Sequence, residues 1–167
     1  MSLPEQISRR SFGKLALSTP LAKLEAKTKL PVGLQLFSVR EQCEKDLPAV
    51  LSAVGKLGYE GVEFAGFYGR SAADIKHMLD DASLQCCGSH TPLNQLLPDK
   101  FEKTVEFNGS IGNRNLIVPG LPARYHSLQG WKEAAGLFNE ISKRLDPFRM
   151  RIGYHNHAIE FQPTEGR

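Results

Sequence analysis

An α/β protein built on a parallel sheet is what this sequence predicts from Pro31 onward, and three observations predict it. Short apolar runs of strand character alternate with amphipathic helical patterns, the signature of βα units. The polar residues that stand out (Arg40 and Glu41, Glu63, His90, and His155 to Glu160) fall at or near the ends of such runs. Parallel α/β sheets gather their chemistry at that carboxyl edge, because βα loops and helix N-termini converge there. With 167 residues, 41% hydrophobic and 23% charged, the chain has the composition of one ordinary globular domain, which excludes the disordered and collagen-like classes.

Taken in order, residues 32–39 read as the first strand. The helix after it carries Leu47, Val50, Leu51, Val54 and Leu57 on one stripe, with Asp46 as N-cap, Pro48 in its first turn and Gly58 as its stop. Residues 61–65 form the second strand. Ser71 and Asp74 then make a capping box for a helix burying Ile75, Met78, Leu79 and Ala82, which leaves His77 on the surface. Residues 84–89 are the third strand, ending in His90-Thr91-Pro92. A weaker helix over 99–107 turns Phe101 and Val105 inward, and residues 108–113 break it. A short fourth strand, 116–118, stops at Pro119-Gly120. Ser127 caps a helix whose Trp131, Ala134, Phe138, Ile141 and Leu145 recur at near-helical spacing, which makes Trp131 a core residue. Asp146-Pro147 ends that helix, since a residue before proline is pushed out of the α region. The fifth strand follows over 149–154.

Charge argues against a nucleic-acid partner. The net +3 owes much to Arg9, Arg10, Lys14, Lys23, Lys27 and Lys29, opposed only by Glu5 and Glu25, and the remainder is near balance without a basic stripe. Residues 8–14, Ser-Arg-Arg-Ser-Phe-Gly-Lys, resemble a twin-arginine export signal, with Gly13 where leucine is usual and a short apolar stretch behind. Residues 1–30 are therefore expected to be a signal or basic tail outside the domain at 31–167. The expected location is the periplasm, with the cytoplasm as the alternative. No run approaches the ~20 apolar residues of a membrane span. Cys43, Cys86 and Cys87 lack disulfide or zinc-ribbon spacing and read as core or wall thiols, and no glycine-rich nucleotide loop is present.

The richest segment is Gly153-Tyr154-His155-Asn156-His157-Ala158-Ile159-Glu160-Phe161. Side chains alternate along a strand, so His155 and His157 share one face and can reach one ion. Imidazole suits zinc, manganese or iron, and Glu160 would add an oxygen donor. Glu160 lies at odd separation from His157, so a regular strand sends it to the other face unless the chain bulges or has ended. The alternative is a polar strand end with solvated histidines.

Four segments together resemble the sugar phosphate isomerase/epimerase proteins with the xylose isomerase-like TIM barrel, which are related to AP endonucleases of the same barrel type. They are Gly33-Leu34-Gln35-Leu36-Phe37-Ser38-Val39-Arg40, Gly58-Tyr59-Glu60-Gly61-Val62-Glu63-Phe64-Ala65-Gly66, Ser89-His90-Thr91, and Gly153 to His157 with Glu160-Phe161. The resemblance implies a (β/α)8 barrel with a divalent ion (manganese, magnesium, cobalt or zinc) at its carboxyl-terminal face. It implies a metal-dependent isomerase or epimerase that moves a proton between adjacent carbons of a sugar or sugar phosphate. Mapped onto this chain, His155 and Glu160 are the metal candidates and Glu160 and His157 the catalytic ones. Glu63, His90, Gln35 and Phe37 would line the substrate pocket, with structural roles as the alternative for each.

A full barrel takes ~250 residues, whereas this chain stops six residues past Phe161. The expectation is a fragment carrying about five strands, inactive by itself, with the remaining ligands on strands six to eight. The open edges of strands one and five would favour pairing with another chain, so a homo-oligomer is also expected. A sugar lyase or dehydratase, or a non-catalytic sugar-binding barrel, would present the same sequence features.

Overall fold

The computed structural model describes residues 30–162. Five strands, β1 (Gly33–Gln35), β2 (Gly61–Phe64), β3 (Gln85–His90), β4 (Asn115–Val118) and β5 (Arg151–Tyr154), pair in sequential order, and every pairing is parallel. Helices α1 (Arg40–Lys56), α2 (Ala72–Asp81), α3 (Phe101–Ser110) and α4 (Leu128–Leu145) make the crossovers. This is the βα alternation expected from the sequence. Gln35 on β1 reaches His90 on β3 at 2.9 Å across the intervening strand, so the sheet curves and its concave face collects these side chains.

The first strand is shorter than expected. Only Gly33–Gln35 pair with β2, and Leu36–Val39 wind into a 3₁₀ turn that runs into α1. The cause is local: the Gln35 side-chain oxygen accepts the Phe37 N–H at 2.6 Å, which takes that donor out of any ladder. Phe37 is left exposed, and Arg40, now in the first turn of α1, lays its guanidinium 4.4 Å from the Phe37 ring centroid.

Asp46 caps as expected, but from inside α1. Its backbone is non-helical (φ −154, ψ 82), two helical segments meet there, and its carboxylate accepts the Ala49 N–H at 3.0 Å. Pro48 fits because the first turn of the second segment needs no donor from it. Leu47, Leu51 and Val54 are buried, whereas Leu57 lies past the last turn and is exposed, a correction to the stripe. Gly58 adopts φ +89 and turns the chain toward β2, a conformation that favours glycine.

The Ser71–Asp74 capping box forms in both directions, and Ser127 caps α4 by accepting from Gly130. His77 stands on the surface beside Asp81. The helices cover the convex face of the sheet in two apolar clusters. Leu36, Leu51, Val62, Phe64 and Ile75 anchor the first, and Leu116, Val118, Ala134, Ile141 and Leu145 the second. Trp131 is only half-buried, stacked on His126 with 5.5 Å between ring centroids.

Residues 108–113 do not simply break α3. The helix runs on to Ser110, and Asn108, inside it, is buried against β3. Between β2 and β3 the register slips: Val62 pairs with Cys86, but Glu63 pairs with Gly88, which leaves Cys87 as an extra residue on β3. The segment resembling an export signal, residues 8–14, lies outside the described residues. Among the described residues no helix is long and apolar enough to cross a membrane.

Candidate metal and sugar site

Glu63, His90 and His155 meet on the concave face at the carboxyl edge of the sheet. One ligand-type atom from each lies within 4.8 Å of the others. His90 Nε2 is 3.3 Å from Glu63 Oε1, and the His90 and His155 rings meet edge-on with centroids 5.1 Å apart. Glu63 and His155 arrive by the alternation of their strands, and His90 by the alternation of β3 after its slip at Cys87. β2 supplies Glu63 and β3 supplies His90. The β5 ladder is extended by one bond, from the His155 N–H to the Val118 carbonyl at 2.9 Å, which brings in His155.

Gln35 completes the wall. Its oxygen is engaged by the Phe37 N–H, so its NH₂ faces His90 Nε2 and donates to it. That nitrogen's lone pair accepts the bond, and the ring carries its proton on Nδ1. Burial holds the His90 imidazole below its ordinary pKa. The Glu63 carboxylate works in the opposite direction, and His155 adds to the lowering. A neutral imidazole is the form that binds a metal, and ligation through Nε2 would take the place of the Gln35 bond.

The donor set fits a divalent ion. Two imidazoles and one carboxylate suit zinc, manganese or cobalt better than magnesium, which prefers oxygen donors. His157 is exposed on the rim, its ring 4.7 Å from that of His155. Beside His90, on its other flank, a cavity of about 490 Å³ is lined by Phe67, Gln95, Lys103 and Phe107 among others.

Glu160 is not gathered with this group. β5 ends at Tyr154 and residues Ile159–Phe161 form a 3₁₀ turn, which carries Glu160 to the helix side of the strand. There it accepts from the Tyr154 hydroxyl and from the His157 backbone N–H (2.7 Å), and it lines a groove of about 440 Å³ with Trp131, Phe138 and Tyr154. Desolvation acts to raise the Glu160 pKa, but the bonds from Tyr154 and the backbone outweigh it and hold the carboxyl below its ordinary value. Burial, then the bond to Glu160, pushes the Tyr154 phenol up to about 12.

A buried polar network with no counterpart in the sequence reading sits behind His90. Asn113 donates to Ser89 Oγ (2.9 Å) and Asn108 Oδ1 (2.8 Å), Ser89 donates to Asn108 Oδ1 (2.8 Å), and Thr91 bonds Ser89. The available signal was two asparagines, Asn108 and Asn113, in a segment that reads only as a helix break.

No protein-family model matches the chain, and a search of curated proteins finds no match. Solved structures do match. A sugar phosphate isomerase/epimerase from Parabacteroides distasonis ATCC 8503 is 28% identical, with a TM-score of 0.64 over 84% of this chain and 56% of that one. The fold is that of the xylose isomerase-like TIM barrels. A xylose isomerase domain containing protein from Salmonella typhimurium LT2 aligns at 13% identity, TM-score 0.56, over 73% of this chain and 47% of that one. An AP endonuclease, family 2, from Brucella melitensis aligns at 16% identity, TM-score 0.57, over 75% and 55%. The chain thus spans about half the length of these barrel proteins, and the strands described here correspond to part of their barrel.

Proposed function

We propose that this chain belongs to a metal-dependent carbohydrate isomerase or epimerase, acting on a sugar or sugar phosphate by moving a proton between adjacent carbons. The observation that carries the reading is the meeting of Glu63, His90 and His155 at the carboxyl edge of a xylose isomerase-like sheet. The name of the Parabacteroides neighbour supports the substrate class. Glu63, His90 and His155 would hold the divalent ion, which would supply Lewis-acid polarisation of a carbonyl or hydroxyl oxygen.

The chain's own groups divide the remaining work. His157, exposed at the rim, gives and takes the proton, the general acid–base role that imidazoles fill most often. Gln35 orients the His90 ring and fixes its tautomer through the bond to Nε2, which an ion bound there would displace. Phe37, with Arg40 on its ring, offers an exposed apolar platform at the β1 end of the same edge.

Metal content and aldose–ketose interconversion of the full-length protein test the reading, with wild type beside Glu63→Gln and His155→Ala. Loss of bound metal together with turnover in both variants is the expected result. Full occupancy with unchanged turnover would end it and leave the cluster as a hydrogen-bonded wall.

A further inference from the structure

We infer that Glu160 is a positioning residue, a strap that holds His157 beside His155 from behind the strand. His155 needs no such help, because its N–H continues the sheet ladder to Val118. His157 lies beyond β5, and its backbone N–H donates to the Glu160 carboxylate at 2.7 Å. The other oxygen of that carboxylate accepts the Tyr154 hydroxyl. One side chain therefore ties the last residue of the strand to the rim of the loop and closes residues 154–160 into a ring.

Three observations separate this role from direct ligation or proton transfer. Both carboxylate oxygens are engaged within the loop. The side chain lines the groove on the helix side with Trp131 and Phe138, opposite the concave face. The ligand-type atoms that do converge belong to Glu63, His90 and His155. What the strap fixes is the 4.7 Å approach of the His157 ring to His155, which sets the distance between the rim imidazole and the metal centre. The inference draws its catalytic meaning from the function proposed above, but the geometry it describes is independent of any ion.

The test uses the full-length protein and its Glu160→Ala, Glu160→Gln and Tyr154→Phe variants, with Co²⁺ as the probe. Absorption titration reads the coordination sphere, and NMR reads the cross-relaxation between the His155 and His157 rings with and without Co²⁺. All four proteins are expected to bind Co²⁺ with the same visible spectrum. The His155–His157 cross-peak is expected to vanish in Glu160→Ala and to weaken in Tyr154→Phe and Glu160→Gln, each of which loses one of the two bonds. A changed Co²⁺ spectrum in Glu160→Ala, with Tyr154→Phe like wild type, would make Glu160 a ligand and overturn the inference. An undiminished cross-peak in Glu160→Ala would also overturn it. Absence of Co²⁺ binding by the wild type would count against the metal centre, while the metal-free cross-peaks would still decide the strap.

Discussion

His90 and His155 occupy the same place in two βα units, the carboxyl end of a strand, yet the molecule holds them by different means. At the β3 end the residues on either side of His90, Ser89 and Thr91, are buried and bonded into the Asn108–Asn113 network under α3. At the β5 end the chain emerges into an exposed loop whose bonds are local, Tyr154 and His157 to Glu160. The first arrangement joins two secondary-structure elements through desolvated amides, so its loss is felt by the whole fold. The second organises a single loop, so its loss is felt by the site. The surroundings are therefore fixed by long-range burial at the β3 end and, beyond the ladder bond from His155 to Val118, by a single turn at the β5 end.

The strongest way to break that comparison is Asn113→Ala. The substitution leaves Ser89 and Asn108 without their amide partner in a dry setting, and an unsatisfied buried polar group costs ~1–3 kcal/mol. A destabilisation of about 2–4 kcal/mol in urea unfolding is expected; a loss below ~1 kcal/mol would show that the network adds little.

Next in size is Gly88→Ala. A Cβ there meets the Glu63 carboxylate at 3.1 Å, close enough to push the flexible end of that side chain out of the cluster. Metal affinity measured by chelator competition should fall about tenfold with little change in melting temperature. Unaltered affinity would place the ion without Glu63.

A smaller effect is expected from pH. Because the folded-state pKa of His90 is lowered, the unfolded chain binds a proton that the native metal-free protein resists. Stability should thus be level above the ordinary imidazole value and decline as pH falls from it toward the lower native one. The difference between wild type and His90→Gln isolates this slope, and identical pH profiles would contradict it. At the lower end of the scale, Glu160→Ala should leave the unfolding midpoint where it was, since its bonds lie in an exposed loop; a clear drop would make the β5 end as structural as the β3 end.

Much of this architecture is written in local sequence. Caps at Asp46, Ser71 and Ser127 and the stop at Gly58 depend on nearest neighbours, and all are present. α4 does end before Asp146-Pro147, but Asp146 keeps α-region angles (φ −52, ψ −45) and the chain passes through the proline into a 3₁₀ turn, leaving the helical region only at Arg149 (φ 54). The strand and helix order follows from periodicity for the same reason. Residues 36–39 misled because their alternation is that of a strand, while the bond that curls them comes from the Gln35 side chain. The site was legible only in part. His90, His155 and Glu63 stood out by residue type at strand ends, but which of them meet depends on the curvature of the sheet. Asn108 and Asn113 read as breakers because their partners on β3 are brought to them only by the fold.

The slipped register reverses the phase of β3. Along a strand, odd and even residues look to opposite sides, so Cys87 and His90, three apart, should oppose one another. Here the Cys87 sulfur lies 2.9 Å from where a Cβ on Gly33 would sit and 3.6 Å from one on Gly61, and His90 faces Gln35 and Glu63, which puts both on the concave side. The extra residue at 87 advances the strand by half a period and turns everything after it over. An unslipped ladder that kept every residue would pair Cys87 with Glu63 and send His90 to the helices and Ser89 to the site, whereas deleting Cys87 would keep Gly88 opposite Glu63 and leave His90 where it is.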